Sequence, residues 1–254
     1  MNLKDIILDI LFPRFCLGCG KEGGYICPSC SLYVSEALLI CPVCFKESFS
    51  GETHPSCREK YGLDGLVSIW QYDGIIKEAI KNAEAGGAYD ILRELTQKSF
   101  KIIATDPSRR FDDFLSFLSS GETLVSFVPM RKIKESKRGF NQSEVIAKEL
   151  AKIIGRSCVS SLQKIKHTED QASLKKEARL QNVKNCFSPI KNEIKNEPGS
   201  HEPGSSKKDI KNLKNVVLVD DVFTTGATMR ECCRVLKQNG VQKVWAFSLA
   251  HPSN

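Results

Sequence analysis

No run of apolar residues near the start of this chain is long enough to cross a membrane. The most apolar stretch there, Ile6-Ile7-Leu8-Asp9-Ile10-Leu11-Phe12, holds an aspartate and ends at Pro13, whereas a spanning helix needs about 20 apolar residues. The basic start and small-residue cleavage site of a secretory signal are also missing. The expectation is therefore an amphipathic N-terminal helix in a cytoplasmic protein, with no membrane span. Another shortage lies far down the chain. Residues 191–214 carry Asn-Glu-Pro-Gly-Ser and then His-Glu-Pro-Gly-Ser with almost no apolar content, which predicts a solvated, disordered insertion. His201 inside it is a poor candidate for catalysis. What remains is ordinary for a soluble globular chain, at 41% hydrophobic and 26% charged residues over 254 positions, enough for one large domain and a small one.

Cysteine is plentiful, and its placement matters more than its number. Eleven cysteines would suit a secreted disulfide miniprotein, but here they cluster. The first sixty residues hold Cys16-Leu-Gly-Cys19, Cys27-Pro-Ser-Cys30, Cys41-Pro-Val-Cys44 and His54-Pro-Ser-Cys57. Each is a ligand pair separated by two residues, a spacing that lets one tight turn aim both groups at a single tetrahedral ion. Four pairs make two closed four-ligand sites, the pattern of structural zinc, without the open position that catalytic zinc keeps. His54 fits because imidazole and thiolate both suit this metal. The simplest pairing joins first to second and third to fourth; spacing alone also permits a crossed one. Binding two Zn²⁺ and losing seven thiol protons lowers the formal charge from +7 to +4, mildly basic and compatible with nucleic acid or phosphate.

Beyond this module the pattern changes to alternating strands and helices. Gly65 to Tyr72, Thr123 to Val128, Val216 to Val219 and Lys243 to Leu249 read as strands. Ile75 to Ala85 has helical spacing. Asn141-Gln-Ser-Glu144 reads as a capping box opening a helix that Gly155 closes, and Thr228 to Gly240 places Met229, Cys232, Cys233 and Leu236 on one face. Cys158 and Cys186, like that pair, read as packing residues. The expected fold is α/β, a parallel sheet flanked by helices over 61–254, preceded by a small double zinc-ribbon module over 1–60.

One stretch carries ligand chemistry. Val216 to Thr228 reads VVLVDDVFTTGAT: a buried strand, two aspartates, a turn and a helix start. Ligands of open α/β sheets bind at the carboxyl ends of strands, and a turn running into a helix N-terminus cradles an anion. Thr224, Thr225, Gly226, Ala227 and Thr228 would hold a phosphate. Asp220 and Asp221 would repel a second phosphate but suit sugar hydroxyls and Mg²⁺, so a ribose 5-phosphate satisfies both halves.

This stretch is similar to the phosphoribosyl-pyrophosphate motif of type I phosphoribosyltransferases. With Arg138-Gly-Phe-Asn-Gln142, Thr168, Gln171, Leu174, Arg179, Asn182 and Phe187, the chain resembles the ComF family over nearly its whole length. The resemblance implies a phosphoribosyltransferase-like sheet with a smaller hood behind a zinc module, and a role in handling DNA during transformation. It implies Asp220 and Asp221 as ribose ligands, Thr224 to Thr228 as the 5-phosphate loop, and Mg²⁺ with bound phosphoribosyl pyrophosphate or a related nucleotide. Single-stranded DNA and a ComFA-type DNA translocase are the implied partners. Arg138, Gly139, Asn141 and Gln142 stand as a second anion site; the alternative is that Asn141 caps and Phe140 packs.

Two stretches depart from the family pattern. Glu84-Ala85 stands where the family has a lysine and an aromatic, and Ser126-Phe127-Val128-Pro129 replaces Val-Pro-Val-Pro. An anion near a pyrophosphate site weighs against turnover. No residue announces itself as an acid or base for an acceptor, and no glutaminase domain accompanies the loop. Three readings follow: a Mg²⁺-dependent phosphoribosyltransferase of nucleotide metabolism, a module that handles single-stranded DNA in uptake, and a sensor of phosphoribosyl pyrophosphate. The second is favoured in role, with a retained ligand pocket. The aromatics of the first sixty residues suit either a mini-core or a base-stacking platform.

Overall fold

Successive side chains of a strand point to opposite faces, so Val216-Val217-Leu218-Val219 can be buried throughout only if both faces are covered. All four are fully buried. Val217 and Val219 join one core with Trp245, Phe247 and Phe114; Val216 and Leu218 join another with Val244, Ala246 and Leu236. The computed structural model describes residues 13–86, 88–131, 135–136, 139–166, 182–190 and 214–253. The expected N-terminal helix, Arg138, Thr168, Gln171, Leu174, Arg179 and the insertion up to residue 213 lie outside them.

In chain order the elements are α1 (Pro28–Ser31), a 3-10 turn (Pro55–Cys57), β1 (Gly65–Gln71), α2 (Gly74–Gly86), α3 (Tyr89–Thr105), α4 (Asp112–Ser119), β2 (Thr123–Phe127), α5 (Gln142–Ile153), β3 (Cys158–Val159), β4 (Leu162–Lys164), β5 (Phe187–Pro189), β6 (Asn215–Val222), α6 (Ala227–Gln238) and β7 (Lys243–His251). Five strands form a parallel sheet in the order β1-β7-β6-β2-β3. Val67 stands opposite Phe247, and Val217 stands between Trp245 and Val125. One face carries α2 to α5, the other α6 and the antiparallel pair β4–β5.

Two expectations change in detail. β6 runs past the apolar residues through both aspartates, because Asp220 and Val222 still stand opposite Ser248 and Ala250 of β7. At α5, Asn141 accepts from the Ser143 N–H (3.1 Å), but Glu144 pairs with Lys148 (2.8 Å), so the capping side chain is Asn141. Helices α3 and α4 were not expected. The buried stripe of α3 contains Thr96 and Ser99, whose polarity blurs the helical period. Thr96 donates to the Leu92 carbonyl, and Ser99 accepts from Trp70 Nε1 (2.9 Å).

The cysteine-rich segment wraps the sheet's β1 edge. Ala37 N–H donates to the Ile69 carbonyl, Gln71 N–H to Ser35 and Leu66 N–H to Gly51, which gives an otherwise open strand edge its partners. Leu39 packs into the first core and its neighbour Ile40 into the second. The chain thus passes from one face of the sheet to the other at that edge. Lys214, last residue of the expected insertion, is held by Glu122 (2.6 Å), and its carbonyl accepts from Gln242 and Lys243.

Candidate functional site

Each pair of ligands sits on a turn short enough to aim both side chains the same way. Cys16, Cys19, Cys27 and Cys30 form one group and Cys41, Cys44, His54 and Cys57 the other, with the ligand atoms of each group within 4.8 Å of one another. This is the sequential pairing rather than the crossed one. A tetrahedral zinc with bonds of about 2.3 Å sets its sulfurs about 3.8 Å apart. Cys19 and Cys27 Sγ lie 3.6 Å apart, and Cys44 Sγ lies 3.4 Å from His54 Nδ1. The other ring nitrogen, His54 Nε2, faces the Glu47 carbonyl at 3.1 Å, the outer contact that fixes a ligating imidazole.

Backbone N–H groups also point at the sulfurs, from Cys27 to Cys16 (3.3 Å) and from Cys30 to Cys27 (3.4 Å). Burial raises the Cys16 thiol, but N–H groups of Cys27, Cys19 and Gly18 outweigh it and bring it down to about 6. Cys30 is pushed up to about 12, by the Cys19 thiol first and burial second. Donor chemistry and spacing fit zinc, and both groups could hold an ion. Gly18 is required here, because a Cβ would lie 2.8 Å from Cys30 Sγ.

The acidic pair ends β6. Asp220 Oδ1 accepts from Ser143 Oγ of α5 (2.7 Å) and from the Asp221 N–H (3.1 Å); Asp221 Oδ1 accepts from the Val222 N–H (2.7 Å). Both side chains are half-buried. Burial lifts the Asp220 carboxyl to about 6 against the Ser143 hydrogen bond and the attraction of Lys164. Asp221 is lifted to about 8 by burial, by Asp220 and by Glu84. Glu84 of α2 therefore bears electrostatically on the pair, and with Asp221 it also raises Tyr72, after burial. Close carboxylates of this kind titrate as a unit.

The turn after them is fixed at both ends. Phe223 N–H donates to the Ala250 carbonyl (2.9 Å), and Arg230 N–H to Gly226 (2.9 Å). Gly226 caps α6 at φ 68°, and a Cβ there would run into the Phe223 ring. Thr224 is exposed, while Thr225 is buried with Oγ1 accepting from the Ala227 N–H (3.4 Å). Of the residues proposed for a second anion site, Arg138 lies outside the described residues. Gly139 lies at the exposed entry to α5 with φ 82°. Asn141 is buried, with its amide donating to the Val128 carbonyl (3.1 Å) as well as capping. Phe140 packs edge-on to Tyr89 (6.1 Å), which is the capping and packing alternative. Gln142 is buried at the first turn of α5.

Two clefts of about 530 and 540 Å³ open on the protein, neither of them lined by Asp220 or Asp221. One lies between the second ligand group and α6, the other between β2, α5 and the β4–β5 pair.

Sequence reading missed Ser143, Lys164, Tyr72, Glu94 and Arg230 as neighbours of these groups. For Arg230 alone there was a signal: a cation one turn into a helix works against the positive end of its dipole, which asks for a local reason.

A doubly covered parallel sheet with an acidic strand end and a glycine turn into a helix defines a phosphoribosyltransferase domain. Residues 141–252 match the family model described as phosphoribosyl transferase domain. The wider chain is 31% identical to "Competence protein F" of Haemophilus influenzae over 48% of each chain. It is 26% identical to "DNA utilization protein YhgH" of Salmonella typhimurium over 88% of this chain and 89% of the relative. To "Competence protein ComFC" of Bacillus subtilis it is 26% identical, over 90% and 85%. Over most of its length the chain is thus similar to competence and DNA-utilization proteins.

Proposed function

We propose that the acidic loop holds a phosphoribosyl group and that the protein handles single-stranded DNA during DNA uptake. In this reading Thr224 to Thr228 take the 5-phosphate, while Asp220 and Asp221 take the ribose hydroxyls with Mg²⁺. The observation that carries it is the carboxylate pair itself. Burial lifts both carboxyls, and repulsion by Asp220 and Glu84 lifts Asp221 further, so a partner that donates hydrogen bonds or positive charge is favoured there, beside a turn whose helix start favours an anion. Glu84 adds negative charge at the same place, which works against holding a pyrophosphate there and so weighs against turnover. Titration of phosphoribosyl pyrophosphate with Mg²⁺ by calorimetry tests this: binding to wild type that Asp220→Asn abolishes is expected, and absence of heat from wild type sinks it.

The nucleic-acid half draws on the names of the competence relatives and on one surface property. Among the described residues, the exposed large hydrophobics include Phe15, Leu32, Tyr33, Leu38 and Phe49, all in the cysteine-rich segment. Aromatic rings open to solvent stack on bases, each worth about 1–3 kcal/mol. Affinity for an oligothymidine strand should fall as salt rises and fall further in Phe15→Ala/Tyr33→Ala. Affinity indifferent to both would remove this part of the reading.

A further inference from the structure

The second ligand group touches the acidic loop's own support. The Arg230 guanidinium, on the first turn of α6, donates from Nε and Nη2 to the Pro42 carbonyl (3.0 and 2.6 Å) and from Nη2 to Val43 (3.2 Å). Pro42 and Val43 are the two residues between the ligands Cys41 and Cys44. The same guanidinium lies over the Phe45 ring (5.3 Å), and Phe45 packs on Phe223 (centroids 5.9 Å apart). Phe45 is a non-glycine residue at φ 63°, its N–H bonded back to the Cys41 carbonyl (3.0 Å). A left-handed conformation is costly for a bulky residue, so metal held by the turn would help to keep it there. Phe223 in turn occupies the space that a side chain at Gly226 would need, and Gly226 is both the bend of the loop and the cap of α6.

The geometry points to Arg230 and the Phe45–Phe223 ring pair as positioning residues that make the second zinc centre a brace for the Thr224–Thr228 loop. Metal at Cys41, Cys44, His54 and Cys57 fixes the Pro42 and Val43 carbonyls and the Phe45 ring. Those fix Arg230 and Phe223, which set the loop. Because coupling is reciprocal, zinc at this centre and a phosphate in the loop strengthen each other's binding. The first centre has a different support: Glu94 of α3 accepts from the Tyr25 and Ile26 N–H groups (3.0 and 3.2 Å). It serves as the internal control. The ligand part of this inference rests on the phosphoribosyl reading; the brace itself does not.

The test uses the full zinc-loaded chain with Arg230→Met, which keeps a long helix-compatible side chain and loses the guanidinium. Glu94→Gln is the control. Amide hydrogen exchange over residues 223–228 reads the loop without any ligand, and calorimetry with phosphoribosyl pyrophosphate reads the pocket. We expect Arg230→Met to retain two zinc ions, speed exchange of the loop amides about tenfold and weaken the ligand about tenfold. Glu94→Gln should leave both readings at wild-type values. Transfer of zinc to a chromophoric chelator should slow with ligand for one ion of the two in wild type, and for neither in Arg230→Met. Unchanged loop exchange in Arg230→Met, or equal loosening by Glu94→Gln, overturns the brace. Faster exchange in a protein whose wild type binds no ligand keeps the brace and fails the phosphoribosyl reading instead. Should Arg230→Met lose zinc, Phe45→Leu, which leaves the carbonyl contacts in place, decides the matter by the same exchange measurement.

Discussion

The two ligand groups are alike in spacing and unlike in everything around them. Cys16 and Cys30 belong to the core on the α2–α5 face of the sheet, where a carboxylate, Glu94, receives two backbone N–H groups of the module. The other centre lies against the opposite face, where Ile40 and Phe45 join the core of α6 and a guanidinium, Arg230, donates to two of its carbonyls. One module is held by an anion reading donors, the other by a cation reading acceptors. Near-identical knuckles thus acquire different jobs from the element behind them: the first is fastened to the α3 scaffold, the second to the loop that ends in Gly226.

The largest effect should come from removing a ligand. Cys27→Ser and Cys57→Ser should each lower zinc content from two ions to one, and a structural site is worth about 10 kcal/mol or more of local folding. Limited proteolysis should then cut each module separately, with loop exchange over residues 223–228 rising only in Cys57→Ser. Simultaneous loss of both modules from either change would erase the distinction.

Next in size is Glu94→Gln. An amide keeps one acceptor and loses the charge that Tyr25 and Ile26 donate to, a loss of about 2 kcal/mol. Urea denaturation should show that loss while ligand binding stays unchanged.

On the loop side, Ser143→Ala removes the hydroxyl that holds Asp220. It should weaken phosphoribosyl pyrophosphate about fivefold, roughly 1 kcal/mol, and leave zinc content alone. A titration curve identical to wild type would count against Asp220 as a ligand.

The smallest effect is one of pH. Both carboxyls sit above their ordinary value of 3.8, at about 6 and about 8, so the folded chain holds protons that the unfolded chain has released. The pair is harmless below about pH 4 and destabilises the fold progressively as pH rises from there to about 6 for Asp220 and about 8 for Asp221. Asp221→Asn should match wild type near pH 4 and exceed it above pH 8, by about 1 kcal/mol once solvent screening of this half-buried side chain is allowed for. A gap that closes as pH rises would reverse the assignment.

Much of this was legible because it is local. Two-residue spacings announce a knuckle, four consecutive apolar residues announce a doubly buried strand, and Asp-Asp before Thr-Thr-Gly announces a strand end and an anion turn. What escaped depends on distance in the chain. Ser143 meets Asp220 across 77 residues, and Arg230 meets Pro42 across 188; no spacing rule connects such pairs. Helix α3 escaped for another reason, since Thr96 and Ser99 occupy buried positions where the pattern asks for apolar residues.

The strip of hydrogen bonds along β1 has a consequence for the order of assembly. Each knuckle group closes within a short stretch of chain, whereas β1 pairs with β7 across about 180 residues, as Ser68 and Ser248 do. Local closure is fast and long-range strand pairing slow, so during synthesis the metal modules would be finished well before the sheet whose edge they seal. A cell short of zinc would then complete that sheet with one border bare, and an unsealed border recruits other chains. Metal supply would in that case govern how much of this protein escapes aggregation as well as how well it works, and the soluble yield from zinc-depleted against zinc-replete expression measures it.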